Sequence, residues 1–175
     1  MGERKKSSEA WEWIVSIAIA VVLAFVIKIF LFDFVVVQGS SMYPTLENGD
    51  RLILNKIEYR LGDPDYGDIV VLSHDAKSEW VKRIIGKGGD TIEIRNQVVY
   101  RNGEALDEPY INTEPYEDFN AVTVPDGMYF VMGDNRANSS DSRYTSLGFV
   151  DREQIIGHVV FRFWPFDKLG GISNG

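Results

Sequence analysis

From Trp13 to Ile27 the chain runs without a charged side chain, and after Lys28 it resumes as Ile29-Phe30-Leu31-Phe32. Together this is about the 20 residues that the hydrocarbon core of a bilayer demands of a helix. An apolar stretch with no polar face does not suit the core of a small domain. A secretory signal peptide is shorter in its apolar region and is followed by a small-residue cleavage site. Phe32-Asp33-Phe34-Val35-Val36-Val37 offers no such pair. The stretch therefore reads as a single N-terminal transmembrane helix over residues 13–32. Lys28 is placed to snorkel at one end, and Trp11 and Trp13 sit at the other as interfacial aromatics. Arg4, Lys5 and Lys6 precede it, which keeps the tail of residues 1–12 in the cytoplasm. Residues 33–175 then form a domain outside the cell membrane, and the lipid bilayer is a partner.

That domain carries the charge. The net charge is -8 over 175 residues. Residues 1–33 hold four basic and four acidic side chains, so the excess lies beyond them. An acidic body repels phosphate backbones, which argues against nucleic acid. It points to a substrate that is uncharged or basic near its binding site. With no cysteine, thiol catalysis, a cysteine zinc site and disulfides are excluded.

Short β-branched runs alternate with turn residues, and the expected fold is mainly β and antiparallel. Candidate strands are Val35–Gln38, Arg51–Asn55, Asp68–Leu72, Trp80–Ile85, Thr91–Arg95, Val98–Arg101, Tyr129–Met132 and Ile155–Phe163. Asn102-Gly103 signals a type I′ hairpin. Gly88-Gly89-Asp90 and Pro125-Asp126-Gly127 mark further turns. No stretch after residue 34 holds a helical period over three turns.

Three segments carry the chemistry. Gly39-Ser40-Ser41-Met42-Tyr43-Pro44-Thr45-Leu46 follows the membrane exit, and taken alone it is a turn out of a strand. Lys82 lies in Trp80-Val81-Lys82-Arg83-Ile84-Ile85. Strand alternation puts it with Trp80 and Ile84 on an apolar face and turns Arg83 the other way. A lysine aimed into apolar surroundings has a lowered pKa and becomes a usable base for a serine hydroxyl. The competing reading is an edge lysine that guards the sheet from pairing, and the bare pattern leaves both open. Gly133-Asp134-Asn135-Arg136-Ala137-Asn138-Ser139-Ser140-Asp141-Ser142-Arg143 is by itself a well-bonded loop held by Asp–Arg pairs. Of the two histidines, His158 falls in the apolar run Ile155–Val160 and His74 in a polar turn. Neither sits near a Gly-x-Ser-x-Gly elbow, so a Ser-His-Asp triad and a histidine metal site are both disfavoured.

In this order the three segments resemble the boxes of the bacterial type I signal peptidases, Ser-Lys proteases that remove signal peptides from exported preproteins. Ser41 to Leu46 is similar to the nucleophile box. Lys82-Arg83-Ile84-Ile85-Gly86 with Gly89-Asp90 is similar to the lysine box, and Gly133 to Arg143 to the acidic-serine box. The resemblance implies Ser41 as nucleophile and Lys82 as general base, with Ser139 orienting the lysine amine. It implies that Asp134, Arg136, Asp141 and Arg143 shape the site without reacting, and that no cofactor or metal takes part. Lys87-Gly88 departs from the family's apolar-proline pair, which concerns a turn. Gly39 stands where some Gram-negative members have a serine, so the pattern is Gram-positive-like. Val35, Val37 and Gly39, expected on the face of Ser41, form the candidate substrate pocket with Met42 and Val81. The implied partners are preproteins with small residues one and three positions before the cut. Two other readings stay open: a Ser-Lys self-cleaving repressor-like protease, and a non-catalytic membrane-tethered β module.

Overall fold

The computed structural model describes residues 3–75, 78–112 and 114–172, with the side chains of residues 3–8 and 26–30 outside what is described. Helix α1 (Glu3–Phe30) opens the chain, and strand β1 (Phe32–Val36) follows after one residue. The expected span of residues 13–32 therefore ends two residues early. Leu31 is a turn and Phe32 already pairs with Asn55, because hydropathy alone does not separate an apolar helix end from an apolar strand. Trp11, Trp13, Ile14, Ile17, Val21 and Phe25 of α1 are all exposed. Among the described residues, no helix is long and apolar enough to cross a membrane. The flanking charges Arg4, Lys5, Lys6 and Lys28 lie among the side chains that are not described.

The rest is antiparallel β, as composition and turn spacing indicate. After β2 (Arg51–Asn55) and the single turn α2 (Glu58–Leu61) come β3 (Ile69–Ser73) and the long β4 (Glu79–Lys87). Strands β5 (Thr91–Arg95), β6 (Val98–Arg101), β7 (Glu104–Ala105), β8 (Phe119–Thr123) and β9 (Met128–Met132) follow. The chain closes with β10 (Val150–Asp151), β11 (Ile155–Trp164) and β12 (Gly170–Gly171). Among the described residues, an eight-stranded sheet has the order β1-β2-β11-β3-β4-β9-β10 with β12 on β11, and a four-stranded sheet the order β7-β6-β5-β8. The β6–β7 turn has φ of +56° at Asn102 and +85° at Gly103, which is what a type I′ turn needs.

The large sheet is covered on both faces, and that decides the environment of the site. Along β3, Ile69 and Val71 enter one core with Val37, Met42, Leu46 and Leu54. Val70 and Leu72 enter a second with Ile84 and Val131. Each such side chain contributes about 1.5–3 kcal/mol when fully buried, so β3 and its partner β4 are among the best-fixed parts of the molecule. The small sheet packs Ile92, Ile94 and Val99 against Ile85, Phe130 and Met132 in a third core. Because both faces are covered, Arg83, turned the other way from Lys82 as alternation predicted, does not reach solvent either. It is fully buried, and its charge is met inside the protein.

Candidate active site

β1 ends at Val36, and at Gly39 the backbone enters the left-handed region with φ +88°. The extended row Val35–Val37–Gly39–Ser41 expected from alternation is thus broken, and Ser41 stands in a tight turn instead. Several bonds fix that turn. Gly39 N–H donates to Asn48 Oδ1 at 2.9 Å, and Tyr43 N–H donates to Ser40 O at 3.1 Å. Met42 and Leu46 plug it into the first core. Across from it, Asn135 N–H donates to Ser41 O at 3.0 Å and Asn135 Nδ2 donates to Ser40 O at 3.1 Å.

Lys82 is held by β4, paired in register with Val70 of β3, and is 3% exposed. Its amine lies 2.9 Å from Ser41 Oγ and 3.1 Å from Val81 O. The ring centroid of Trp80 is 5.5 Å away. Burial lowers the pKa of this amine from 10.5 to about 8, with Asp141 and Asp134 opposing and Arg143 adding to the shift. Loss of water is the largest cause because two carboxylates do not offset it.

The loop from Gly133 to Arg143 is tied from four sides. Asp134 receives Arg83 through Nε at 2.8 Å and through the second guanidinium nitrogen at 2.7 Å. Both side chains are fully buried. Asp134 also accepts from Thr45 Oγ1 at 2.5 Å, tying the loop to the Ser41 turn. Asp141 accepts from Gly133 N–H at 3.0 Å and from Arg143 Nε at 2.8 Å. Arg136 pairs with Glu108 at 2.9 and 2.6 Å and donates to Gly133 O at 3.0 Å. Ser139 is buried, and among the described residues its hydroxyl has no hydrogen-bond partner. The contact expected between Ser139 and the lysine amine is not among the bonds of that amine.

Gly133 is where the loop passes the Ser41 turn. A Cβ built there stands 2.3 Å from Ser41 O and 2.3 Å from Ser139 Oγ, far inside van der Waals contact. Gly133→Ala must therefore push the Ser41 turn aside. It is expected to lose about 100-fold in turnover, as displacements near 1 Å do, while the far-UV circular dichroism stays native. Parental activity in Gly133→Ala would show that the turn tolerates displacement.

A cleft of about 940 Å³ opens beside the Ser41–Lys82 pair and extends past Trp80 to Glu79. Val35, Val37, Gly39, Met42 and Val81, the expected pocket residues, all line it. One wall is the segment 79–82 of β4. Its ladder to β9 begins only at Arg83, so its second edge faces the cleft. Among the described residues, no group of three or more His, Asp or Glu side chains is placed to hold a metal ion. His158 lies on β11 with Nδ1 3.0 Å from Glu58 Oε2, and His74 stacks on Trp80.

A family model described as signal peptidase, peptidase S26, matches residues 10–164 of the chain. The chain belongs to that family. It is 46% identical to signal peptidase I of Bacillus amyloliquefaciens, over 95% of this chain and 91% of that protein. Signal peptidase I S of Bacillus subtilis is also 46% identical, over 94% of each chain. Signal peptidase IB of Staphylococcus aureus is 38% identical, over 92% of this chain and 93% of its own. The chain is accordingly a hydrolase, a peptidase of the signal peptidase type.

Sequence reasoning missed three members of this family's site as it stands here. Arg83 was assigned to the far face of β4, although a cation inside so apolar a strand needs a buried carboxylate and Asp134 is the one it finds. Glu108 carried no local signal, since its partner Arg136 is 28 residues away. Asn135 stood within the quoted loop without a role, and its two bonds to the Ser41 turn appear only in three dimensions.

Proposed function

We propose that this chain is a membrane-anchored endopeptidase that cuts signal peptides from exported preproteins, with Ser41 as nucleophile and Lys82 as general base. One observation carries the assignment: a buried amine with a lowered pKa lies 2.9 Å from a serine hydroxyl at the head of a substrate-sized cleft. Neutral Lys82 takes the Ser41 proton as Oγ attacks the carbonyl carbon before the cut. The oxyanion forms beside the main-chain N–H of Ser41, and such a preorganised donor is worth about 3–4 kcal/mol in rate. The Lys82 ammonium then gives its proton to the departing amine. Water, deprotonated by the same Lys82, releases the acyl group from Ser41.

The substrate lies extended between β1 and the open edge of residues 79–82, bonded through its main chain. Val35, Val37, Gly39, Met42 and Val81 wall the pockets for the residues one and three positions before the cut. Shallow apolar walls of this kind admit alanine and reject bulk and charge. Ser139, Asp134, Arg136, Asp141 and Arg143 hold the site's shape. Helix α1 anchors the protein, amino terminus inside and β domain outside. Its described apolar side chains, among them Trp13, Ile17, Val21 and Phe25, are exposed, and its 28 residues extend about 42 Å at 1.5 Å per residue. Just beyond it, Phe34 and Val36 are exposed, as are Trp164 and Phe166. Strand β2 lies between the strands that carry Val36 and Trp164, its Arg51 pairing with both, and Phe166 follows just after Trp164. An apolar patch at the foot of the helix suits contact with the bilayer surface.

The test is cleavage of a preprotein by the parent chain, Ser41→Ala and Lys82→Arg. Both variants should be inactive, since guanidinium stays protonated at any useful pH. In the parent, kcat/KM should climb through about pH 8, where Lys82 loses its proton. Turnover by Ser41→Ala, or a profile flat from pH 6 to 10, would remove the assignment.

A further inference from the structure

The wall of the cleft that faces Lys82 is itself supported from behind. The imidazole of His74 stacks on the indole of Trp80, ring centroids 3.9 Å apart and planes 21° from parallel. Trp80 lines the cleft, and its ring centroid is 5.5 Å from Lys82 Nζ. His74 sits just past the end of β3, where its main-chain N–H donates to Ser78 O at 3.0 Å and fixes the backbone that carries the imidazole. Trp80 is only half-buried, packed against the core of Leu72 and Ile84. The stack on His74 is therefore a main restraint on the ring. Ser41, Lys82, Trp80 and His74 form a file from the nucleophile to the back of the wall.

We infer that His74 is a positioning residue for Lys82, holding Trp80 as the shield that keeps water from the amine. The inference rests on the reading of Lys82 as the base. Removing the support has two opposed effects on the amine. Water that reaches Nζ favours the ammonium and raises its pKa. Loss of the indole face removes a cation–π attraction and lowers it. Burial is the largest cause of the depressed pKa of Lys82, so hydration wins and the net movement is upward. The other groups that act on the amine are Ser41 at 2.9 Å, the Val81 carbonyl at 3.1 Å, Asp141 and Asp134, which favour the ammonium, and Arg143, which disfavours it, while the carboxylates Asp75 and Glu79 share the cleft wall. These groups are unchanged in all the variants compared.

The experiment compares the parent, His74→Ala, His74→Phe and Trp80→Ala in the full-length chain in detergent, following preprotein cleavage from pH 6 to 10. His74→Ala should move the ascending limb of kcat/KM up by about 0.5–1 pH unit. That is about a 3- to 10-fold loss near pH 7, closing toward pH 10. Trp80→Ala should move it at least as far. His74→Phe keeps a stacked ring and should leave the limb within about 0.2 unit of the parent. A variant that merely folds poorly lowers the height of the profile and not its position, so partial unfolding does not mimic the effect. An unmoved limb in His74→Ala, or an equal shift in His74→Phe, overturns the inference. Turnover by Lys82→Ala would instead overturn the reading beneath it, and the two failures are thereby told apart.

Discussion

At pH 7, Lys82→Met should withstand more denaturant than the parent chain while cleaving preprotein on the order of 10⁴-fold more slowly. The two effects share one cause. The folded chain lowers the pKa of this amine from 10.5 to about 8, so folding disfavours the ammonium by about 3 kcal/mol. Below pH 8 the amine is charged in both states and the whole penalty is present. Between pH 8 and 10.5 the folded state has released its proton and the unfolded chain has not, so the parent gains stability as pH rises. Above 10.5 both are neutral and the penalty is gone. Methionine fills the same volume without a charge, and the lost bond to Ser41 is worth only about 1 kcal/mol. The variant should therefore lead by about 2 kcal/mol at pH 7, with the gap closing toward pH 10. Urea denaturation at the two pH values measures it. A variant less stable than the parent at pH 7 would mean that the amine is not held at a cost.

The second large effect lies at Asp134. Its pair with Arg83 has both side chains at 0% exposure, and breaking such a pair from one side costs about 3–5 kcal/mol because the other charge stays buried. Asp134→Ala should lose that much, a third or more of the stability of an ordinary domain, and should loosen the Ser41 turn through Thr45. Replacing both partners by apolar residues, as in Arg83→Met with Asp134→Leu, should recover most of the loss. Chemical denaturation of the single and double variants decides the matter. A loss under 1 kcal/mol in Asp134→Ala would show that water reaches Arg83.

What the sequence disclosed and what it withheld follow from the range of the interactions involved. Strands β2, β5 and β6 were legible to the residue because each is a short β-branched run between turn formers. Strand β8 was not: Phe119-Asn120-Ala121-Val122-Thr123 is mostly solvent-exposed and lacks a clean alternation. The β5–β6 turn escaped notice because Asn96 and Gln97 adopt φ of +51° and +63° without a glycine to announce it. Within the site, Ser41 and Lys82 stand on local patterns that an ordered sequence of motifs makes visible. Their approach to 2.9 Å joins residues 41 positions apart, as the ties of Arg83 to Asp134 and of Arg136 to Glu108 join others far along the chain. A strand covered on both faces also defeats the rule that alternate residues meet solvent, so alternation gave the face of Arg83 but not its burial.

Only Leu31 separates the end of α1 from β1, and its carbonyl accepts from Lys56 N–H at 2.9 Å. β1 is then paired to β2 along its whole length, from Phe32–Asn55 to Val36–Arg51. The stretch from helix to nucleophile therefore has almost no slack, and it behaves as a ruler. With the helix seated in a bilayer, Ser41 would work at one height, within about 36 Å of the helix end at 3.3 Å per extended residue. Selection by length would then accompany selection by side chain: a preprotein whose small residues stand too near its own apolar helix, or too far from it, would present the right side chains at the wrong height.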